Sequence, residues 1–140
     1  MGLTADKGKG QAVADHLMLV LSNSKPEIED EFNNWYTNVH IRELVDRLDP
    51  IEAAQRFVLT GSHRDVPTPY KYLALYWIPE GRLAEAQAAL AWQGEERLEA
   101  LAAGREPVIG RLDVFEGMPQ AWFFSHVCDK YVADGAPAAD

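Results

Sequence analysis

The sequence contains one cysteine, no long apolar run and relatively few positive charges. Because Cys128 has no second cysteine to pair with, no disulfide can form within the chain, and nothing indicates an oxidising compartment. No apolar stretch approaches the roughly 20 residues that a membrane-spanning helix needs. Residues 1–6 lack the apolar core of a secretory signal. We therefore expect a cytoplasmic protein with no membrane partner.

The shortage of basic residues argues against nucleic-acid binding. The 140 residues include 13 Lys and Arg against 22 Asp and Glu, which gives a formal net charge of −9. A nucleic-acid-binding domain normally shows the opposite balance, with a basic stripe. The sequence has no dense cluster of Lys or Arg, so we expect no nucleic-acid partner.

Motifs for metals and nucleotide cofactors are also missing. The 4 histidines are scattered, with no pair at a helical ligand spacing and no His-Glu-x-x-His. No Gly-x-Gly-x-x-Gly motif or phosphate-binding loop occurs. We therefore predict no metal and no cofactor. A haem held by a single histidine stays open as an alternative.

Composition and length are typical of one folded domain. The chain is 47% hydrophobic and 25% charged, which is enough for a real core and a charged surface. Its two ends are polar or rich in small residues. We predict a single domain over residues 14–132, with disordered tails at 1–13 and 133–140.

Four apolar segments and two amphipathic segments alternate along the chain. The apolar runs predict strands over residues 15–22, 51–60, 70–78 and 121–128. Helices are predicted over 26–48, with Ser24 as its N-cap, and over 83–103. The second helix has an apolar side formed by Leu83, Ala86, Leu90, Leu98 and Leu101. This order predicts an α+β, ferredoxin-like βαββαβ fold with a four-stranded antiparallel sheet.

Alternation along the strands predicts a sheet with two different faces. One face is mostly aliphatic, and we expect it to pack against the helices; it includes Leu17, Leu19, Leu21, Leu73 and Leu75. The other face mixes apolar and polar side chains: His16, Met18, Arg56, Tyr72 and Tyr76. We expect a second copy of the chain to cover that second face, so that its polar groups line a pocket. The faces of the last strand stay unassigned.

The first predicted helix changes its apolar phase near its middle. The faces before and after the change are formed by Ile28, Phe32, Trp35 and Val39, and by Ile41, Leu44, Val45 and Leu48. We expect a kink or restart near residues 38–41, which would place His40 at the pocket mouth. A histidine is the natural proton-transfer group near neutral pH. The structural alternative is a helix-end histidine bonded to a carbonyl.

These segments resemble one known family. The run Trp35–His40, the later run Ala54–Phe57 and the strand Tyr72–Tyr76 resemble the EthD-like branch of the dimeric α+β barrel superfamily. The resemblance extends over roughly residues 17–90. It implies a homodimer with a pocket between sheet and helices, in which a histidine or tyrosine acts as acid or base without a metal. His40 is the position that matches the family's histidine.

Relatives of this kind include polyketide cyclases, cofactor-free monooxygenases and muconolactone isomerases. We therefore expect a cofactor-independent lyase, isomerase or cyclase that transfers protons on a small aromatic or polyketide-like compound. The expected catalytic residues are His40, Tyr72 and Arg56. The expected substrate-binding residues are His16, Met18, Trp35, Tyr36 and Tyr76, with His16 as a second candidate proton carrier. A cofactor-free monooxygenase, a haem-binding barrel protein and a non-catalytic dimeric ligand-binding protein are the alternatives.

Overall fold

The computed structural model describes residues 14–135. The strands are β1 (Ala14–Ser22), β2 (Ala53–Val58), β3 (Tyr72–Pro79) and β4 (Gln120–Ser125). The helices are α1 (Glu29–Trp35), α2 (Ile41–Arg47) and α3 (Leu83–Ala103), with a π-helical turn, Tyr36–His40, between α1 and α2. The predicted N-terminal tail and residues 136–140 of the predicted C-terminal tail lie outside the described residues. The predicted domain limits therefore stay predictions.

The four strands form one antiparallel sheet in the order β2-β3-β1-β4. This is the arrangement predicted from the βαββαβ order, so the ferredoxin-like fold is confirmed. The register places Tyr76 opposite both Met18 and Ala54, and Met18 opposite Phe123. Strands β2 and β4 are the edges of the sheet.

The predicted assignment of the two sheet faces is wrong. The helices cover the face that carries the tyrosines, which we call the enclosed face. It includes Met18, Val20, Ser22, Ala54, Arg56, Tyr72, Ala74, Tyr76, Ile78 and Phe123. Its tyrosines can be buried because each one offers a large apolar ring, while its hydroxyl finds a partner inside the fold.

The leucine-bearing side, which we call the open face, is not covered by any helix within residues 14–135. Its members from β1 to β4 are Leu17, Leu19, Leu21, Ala53, Gln55, Phe57, Leu73, Leu75, Trp77, Gln120, Trp122 and Phe124. Three of its aromatic rings show high exposure: Phe57 is 41% exposed, Trp122 46% and Phe124 52%. The prediction that one apolar face is left bare therefore holds within residues 14–135. The bare face is the leucine-bearing one, however, and not the tyrosine-bearing one that was expected.

The break predicted in the first helix is confirmed, as a π-helical turn. Residues 36–40 form this turn and keep helical dihedral angles, ending with His40 at φ −66° and ψ −53°. The wider turn shifts the apolar phase between α1 and α2. The predicted N-cap is wrong: α1 begins at Glu29 without a side-chain cap, and Ser24 instead forms a β-bridge with Phe115. Glu27 explains this, because its φ of 71° interrupts any helix begun at residue 26.

Helix α3 has the predicted limits and ends at Gly104, whose φ of 71° suits the left-handed position after a helix. Its inward side carries small residues, with Ala86 and Ala100 fully buried. The predicted leucine side is wrong in the second half of the helix, because Leu98 and Leu101 are 67% and 66% exposed. Within residues 14–135, no helix combines the length and apolar character needed to cross a bilayer.

The segment that follows α3 packs back onto the core. The buried carboxylate of Glu96 accepts hydrogen bonds from Arg105 Nη1 at 2.6 Å and from the Val108 N–H at 2.9 Å. Beyond this anchor, Ile109 and Val114 are each 1% exposed and join the core formed by α1, α2 and the enclosed face. The chain therefore supplies its own cover for the tyrosines.

Candidate active site

The π-helical turn places His40 among aromatic rings. Its imidazole stacks on Trp35, with ring centroids 4.6 Å apart and an interplanar angle of 20°. It also meets Tyr36 edge-on at 5.2 Å. The Phe115 ring packs against both of these neighbours, at 5.9 and 5.8 Å. The histidine is thus held by the helix on one side and by the segment after α3 on the other.

The Nδ1 atom of His40 is buried and has no hydrogen-bond partner among residues 14–135. Leaving a buried nitrogen without a partner costs free energy. The structural alternative of a histidine bonded to a helix-end carbonyl is therefore not what is seen at Nδ1. This atom is the clearest unfilled polar position in the described part of the site.

His40 is neutral at physiological pH. Burial, and after it the positive charges of Arg111, Arg97 and Arg56, together lower the pKa of His40 from 6.5 to about 4. The imidazole therefore keeps a free lone pair. The same positive charges would stabilise a negative charge that formed on a group next to it.

Of the three arginines that lower the pKa of His40, Arg97 and Arg111 lie outside the sheet, Arg97 on α3 and Arg111 in the segment after it. The guanidinium carbon of Arg111 lies 5.8 Å from the centre of the Phe115 ring. Arg97 is half-buried on α3, and burial together with the charge of Arg111 lowers the pKa of Arg97. Neither arginine forms a direct ion pair with a side chain in residues 14–135. Arg111 does interact at longer range with the carboxylate of Asp113, which pairs with Lys25.

Two buried phenols lie in the core, and one of them, Tyr36, contacts the histidine. Tyr36 and Tyr76 are 2% and 1% exposed, and the Tyr36 oxygen accepts hydrogen bonds from the hydroxyls of Tyr76 and Ser22. Burial is the main cause that raises the pKa of both tyrosines. Both phenols therefore stay protonated at neutral pH. They can position neighbouring groups or donate a proton, but they cannot act as bases.

Arg56 on β2 is stacked on the aromatic rings of the enclosed face. Its guanidinium carbon lies 4.3 Å from the centre of the Tyr36 ring and 5.2 Å from that of Tyr72. Nη1 donates to Thr37 Oγ1 at 2.8 Å, and Nη2 donates to Asn33 Oδ1 at 2.9 Å. Helix α1 and the π-helical turn thus fix the plane of the guanidinium.

The hydroxyl of Tyr72 is occupied by protein groups. It donates to Glu29 Oε2 and accepts a hydrogen bond from Asn33 Nδ2 at 3.0 Å. Lys71 Nζ lies 2.6 Å from the same Glu29 oxygen. Burial, followed by the bond to Glu29, raises the pKa of Tyr72, whereas hydrogen bonds from Lys71 and Tyr72 lower the pKa of Glu29. Tyr72 therefore remains a neutral phenol.

Arg56 and Tyr72 also line an open pocket of about 340 Å³ at the edge of the sheet. Its walls are formed by Asn33, Thr37, Arg56, Phe57, Val58 and Tyr72. His40 is not among them. The ring of Tyr36 contacts both Arg56 and His40 and therefore lies between the pocket and the histidine. The volume is at the lower end of the range for small-molecule sites.

The structure brings together most of the predicted site residues. Trp35 and Tyr36 contact His40, Tyr76 is hydrogen-bonded to Tyr36, and Met18 is buried opposite Tyr76. His16 is apart from this group. Its Nδ1 lies 2.6 Å from Ser125 Oγ, and Ser22 lies six positions further along β1, about 20 Å of extended chain away. A role for His16 as a second proton carrier at His40 is therefore geometrically unsupported.

Several residues of the site were not predicted. Glu29, Asn33 and Thr37 bind Tyr72 and Arg56, and their spacing of four residues places them on one side of the helix. That polar stripe is visible in the sequence. Phe115 and Arg111 had no comparable signal, because they come from a segment without regular secondary structure. Among the described residues, no three His, Cys, Asp or Glu side chains are placed to hold a metal ion.

Comparisons with known proteins concern the fold. No protein-family model and no curated protein matches the sequence. An EthD-like protein from Ralstonia eutropha JMP134 has a similar structure, with a TM-score of 0.50 and 14% identity, over 84% of this chain and 97% of that one. The chain has the fold of EthD-like proteins.

Two further solved structures support this result. A protein of unknown function from Nitrosomonas europaea has a TM-score of 0.50 and 17% identity, over 85% of this chain and 95% of that one. The protein At3g17210 of Arabidopsis thaliana has a TM-score of 0.51 and 12% identity, over 83% and 99% of the two chains. At such identities the similarity is one of fold, and the chemistry must be argued from the site itself.

Proposed function

We propose that the protein is a cofactor-independent enzyme that transfers protons on a small aromatic or polyketide-like compound, with His40 as the acid or base. The observation that carries this proposal is the half-buried, neutral imidazole, whose buried Nδ1 has no partner among residues 14–135. A neutral imidazole has the lone pair that a general base needs. The adjoining rings of Trp35 and Tyr36 suit a flat, apolar ligand.

The reaction begins when a ligand C–H or O–H gives its proton to the His40 nitrogen. The electron pair stays on the ligand as an enolate- or phenolate-like charge. That charge forms in the positive field of Arg111, Arg97 and Arg56, the same three groups that act on the imidazole. Return of the proton to a different ligand atom completes an isomerisation or cyclisation, and departure of a leaving group with that proton completes an elimination.

Arg56 and Tyr72 would orient the part of the ligand that lies in the neighbouring pocket. Both line the pocket, and both are fixed by hydrogen bonds to α1 or the π-helical turn. Tyr72 acts here as a neutral phenol, since its hydroxyl already donates to Glu29. Tyr36 and Tyr76 hold the floor of the site through their mutual hydrogen bond.

The test is proton exchange and turnover with purified protein in D₂O. A panel of aromatic and polyketide-like carbonyl and phenol compounds is incubated with the wild-type protein, His40→Gln and His63→Gln, and followed by mass spectrometry. His63 is an exposed histidine in a loop and serves as the matched control. We expect deuterium uptake or product formation to fall about 10²–10⁴-fold in His40→Gln and to be unchanged in His63→Gln. Equal rates in wild type and His40→Gln would remove His40 from the mechanism, and saturable binding without exchange would identify a non-catalytic ligand-binding protein.

We also propose that two copies of the chain associate through their open faces. From Leu17 onward, no strand position on this face carries a charged side chain, and its exposed rings form an apolar surface of a kind that monomers rarely leave in water. Such a face can meet itself across a twofold axis, because a pair of identical apolar sheets is self-complementary. Sedimentation velocity at micromolar concentration should show a dimer. A monodisperse monomer would contradict this assembly.

A further inference from the structure

We infer that the pocket at the β2 edge binds a carboxylate group of a small ligand through the guanidinium of Arg56. The pocket is open to solvent on one side and combines one cation with neutral polar and apolar walls. Small-molecule sites are usually built in this way, with few convergent polar groups in an apolar setting. The assignment of this ligand as the substrate rests on the proposed function, whereas the binding itself does not.

The charge of Arg56 is not matched by any carboxylate of residues 14–135. Its hydrogen-bond acceptors are the neutral side chains of Asn33 and Thr37. Arg82 shows the ordinary alternative, since it forms ion pairs with two carboxylates at 2.7 and 2.9 Å. The chain has 22 acidic residues and a net charge of −9, yet this half-buried arginine has only neutral partners. Its positive charge is therefore available to bind an anionic ligand.

Arg56 also has donors to spare. Nη1 donates to Asn33 O and Thr37 Oγ1, and Nη2 donates to Asn33 Oδ1. The Nε–H and one Nη2 hydrogen therefore make no hydrogen bond to residues 14–135. A planar guanidinium suits a carboxylate because two parallel N–H groups can reach its two oxygens. Stacking on Tyr36 and Tyr72 holds that plane in place before any ligand arrives.

A single negative charge fits the surroundings better than a double one. Glu29 lies within hydrogen-bonding contact of Tyr72, a wall of the pocket, and hydrogen bonds keep the pKa of Glu29 low. Its charge is shared with Lys71 but remains close to the pocket. A carboxylate monoanion is therefore favoured over a phosphate dianion.

The walls formed by β2 suit the apolar body of such a ligand. Phe57 and Val58 line the pocket and are 41% and 48% exposed, so they offer apolar surface to whatever carries the carboxylate. Together with the aromatic neighbours of His40, this points to an aromatic carboxylate as the substrate class. The carboxylate would lie at Arg56 and the ring against Phe57 and Val58.

The experiment is a titration of the full-length protein followed by amide chemical shifts of Thr37 and Val58. Benzoate is the probe, benzamide is its neutral counterpart, and phenyl phosphate is the dianion. We expect saturable shifts with benzoate and at least about tenfold weaker binding of benzamide, because the charge-assisted bonds to Arg56 are lost. Phenyl phosphate should bind more weakly than benzoate.

Variants locate the effect. Arg56→Gln should weaken benzoate binding about tenfold or more, and Arg56→Lys should fall between, since it keeps the charge and loses the planar donors. Arg42→Gln, which removes a charge from an exposed position on α2, should bind benzoate like the wild type. If Arg56→Gln is poorly folded, the comparison of benzoate with benzamide in the wild-type protein still decides the matter.

Three results would overturn the inference: equal binding of benzoate and benzamide, unchanged binding in a folded Arg56→Gln protein, or no saturable binding of benzoate by the wild type. Failure of the proposed function looks different. In that case His40→Gln keeps full deuterium exchange, while benzoate binding still depends on Arg56. The two claims can therefore fail separately.

Discussion

The enclosed and open faces of the sheet use apolar residues in opposite ways. The enclosed face carries tyrosines and an arginine, yet the helices cover it, and Tyr76 is 1% exposed. The open face is richer in leucine and carries no charge from Leu17 onward, yet Trp122 remains 46% exposed. The more aliphatic face of a sheet is therefore not always the one that the chain covers itself. What decides is whether long polar side chains find partners beneath the helices.

The largest expected effect compares a phenylalanine that packs on the enclosed face with one on the open face. Phe32 is fully buried against Tyr36, Tyr72 and Phe115, so Phe32→Ala should cost about 3–5 kcal/mol of unfolding free energy. The matched change Phe57→Ala, on the open face, should cost much less in the monomer. Urea unfolding at low protein concentration measures both. Equal losses would mean that the two faces do not differ in burial.

How far the sequence leads depends on the kind of signal. Strand alternation and the order of elements were enough to predict the fold, and the phase change in the first helix was enough to predict a break near His40. That the break is a π-helical turn was not predicted. These are local patterns with a fixed period. Such patterns do not say which face of the sheet the helices cover. That depends on which side chains find hydrogen-bond partners for their polar ends in the folded structure.

The site shows the same limit. Trp35, Tyr36, His40, Arg56 and Tyr76 could be identified because they lie on regular elements whose side-chain directions follow from the period. Phe115 and Arg111 could not, since the segment after α3 reaches the core through the anchor at Glu96 and not through a repeating pattern. His16 was misplaced because sharing a face says nothing about distance along a strand.

The next effect concerns the proposed contact between open faces. Leu75 lies at the centre of this face, opposite Leu19 and Gln55, so Leu75→Asp would bury a charge in the contact and raise the dissociation constant at least about a hundredfold. Leu98→Asp is the control, because Leu98 is 67% exposed on α3. Sedimentation of the two variants should give a monomer and a dimer respectively. A dimer in both cases would place the contact elsewhere.

The third effect concerns the dry surroundings of the enclosed face. Burial depresses the pKa of His40 from 6.5 to about 4, so between these values the unfolded chain takes up a proton that the folded chain does not. Stability linked to His40 is therefore full above pH 6.5 and is lost as the pH falls toward 4. Between pH 7.5 and 5.0 this loss is about 2 kcal/mol.

His40→Gln removes that term and leaves the other titrating groups in place. The variant should therefore lose about 2 kcal/mol less than the wild type between the same two pH values, as measured by urea unfolding. An identical pH dependence in both proteins would mean that His40 is hydrated in the folded state.

The smallest effect separates burial from charge at the same histidine. Arg111 is the first of the three charges that lower the pKa of His40, after burial. Arg111→Gln should raise this pKa, but by less than the whole depression, because burial remains. Arg42→Gln should leave it unchanged. NMR titration of the imidazole in the two variants provides the comparison. An unchanged pKa of His40 in Arg111→Gln would mean that the charge of Arg111 does not act on the histidine.

The most direct test of the account is the NMR titration of His40 in the wild-type protein. If the imidazole is packed against Trp35 and Tyr36 as the structure shows, its protonation midpoint should be about 4, and the ring should be neutral throughout the physiological range. A midpoint near the ordinary 6.5 would show a solvated side chain and would contradict a proton acceptor buried within the fold.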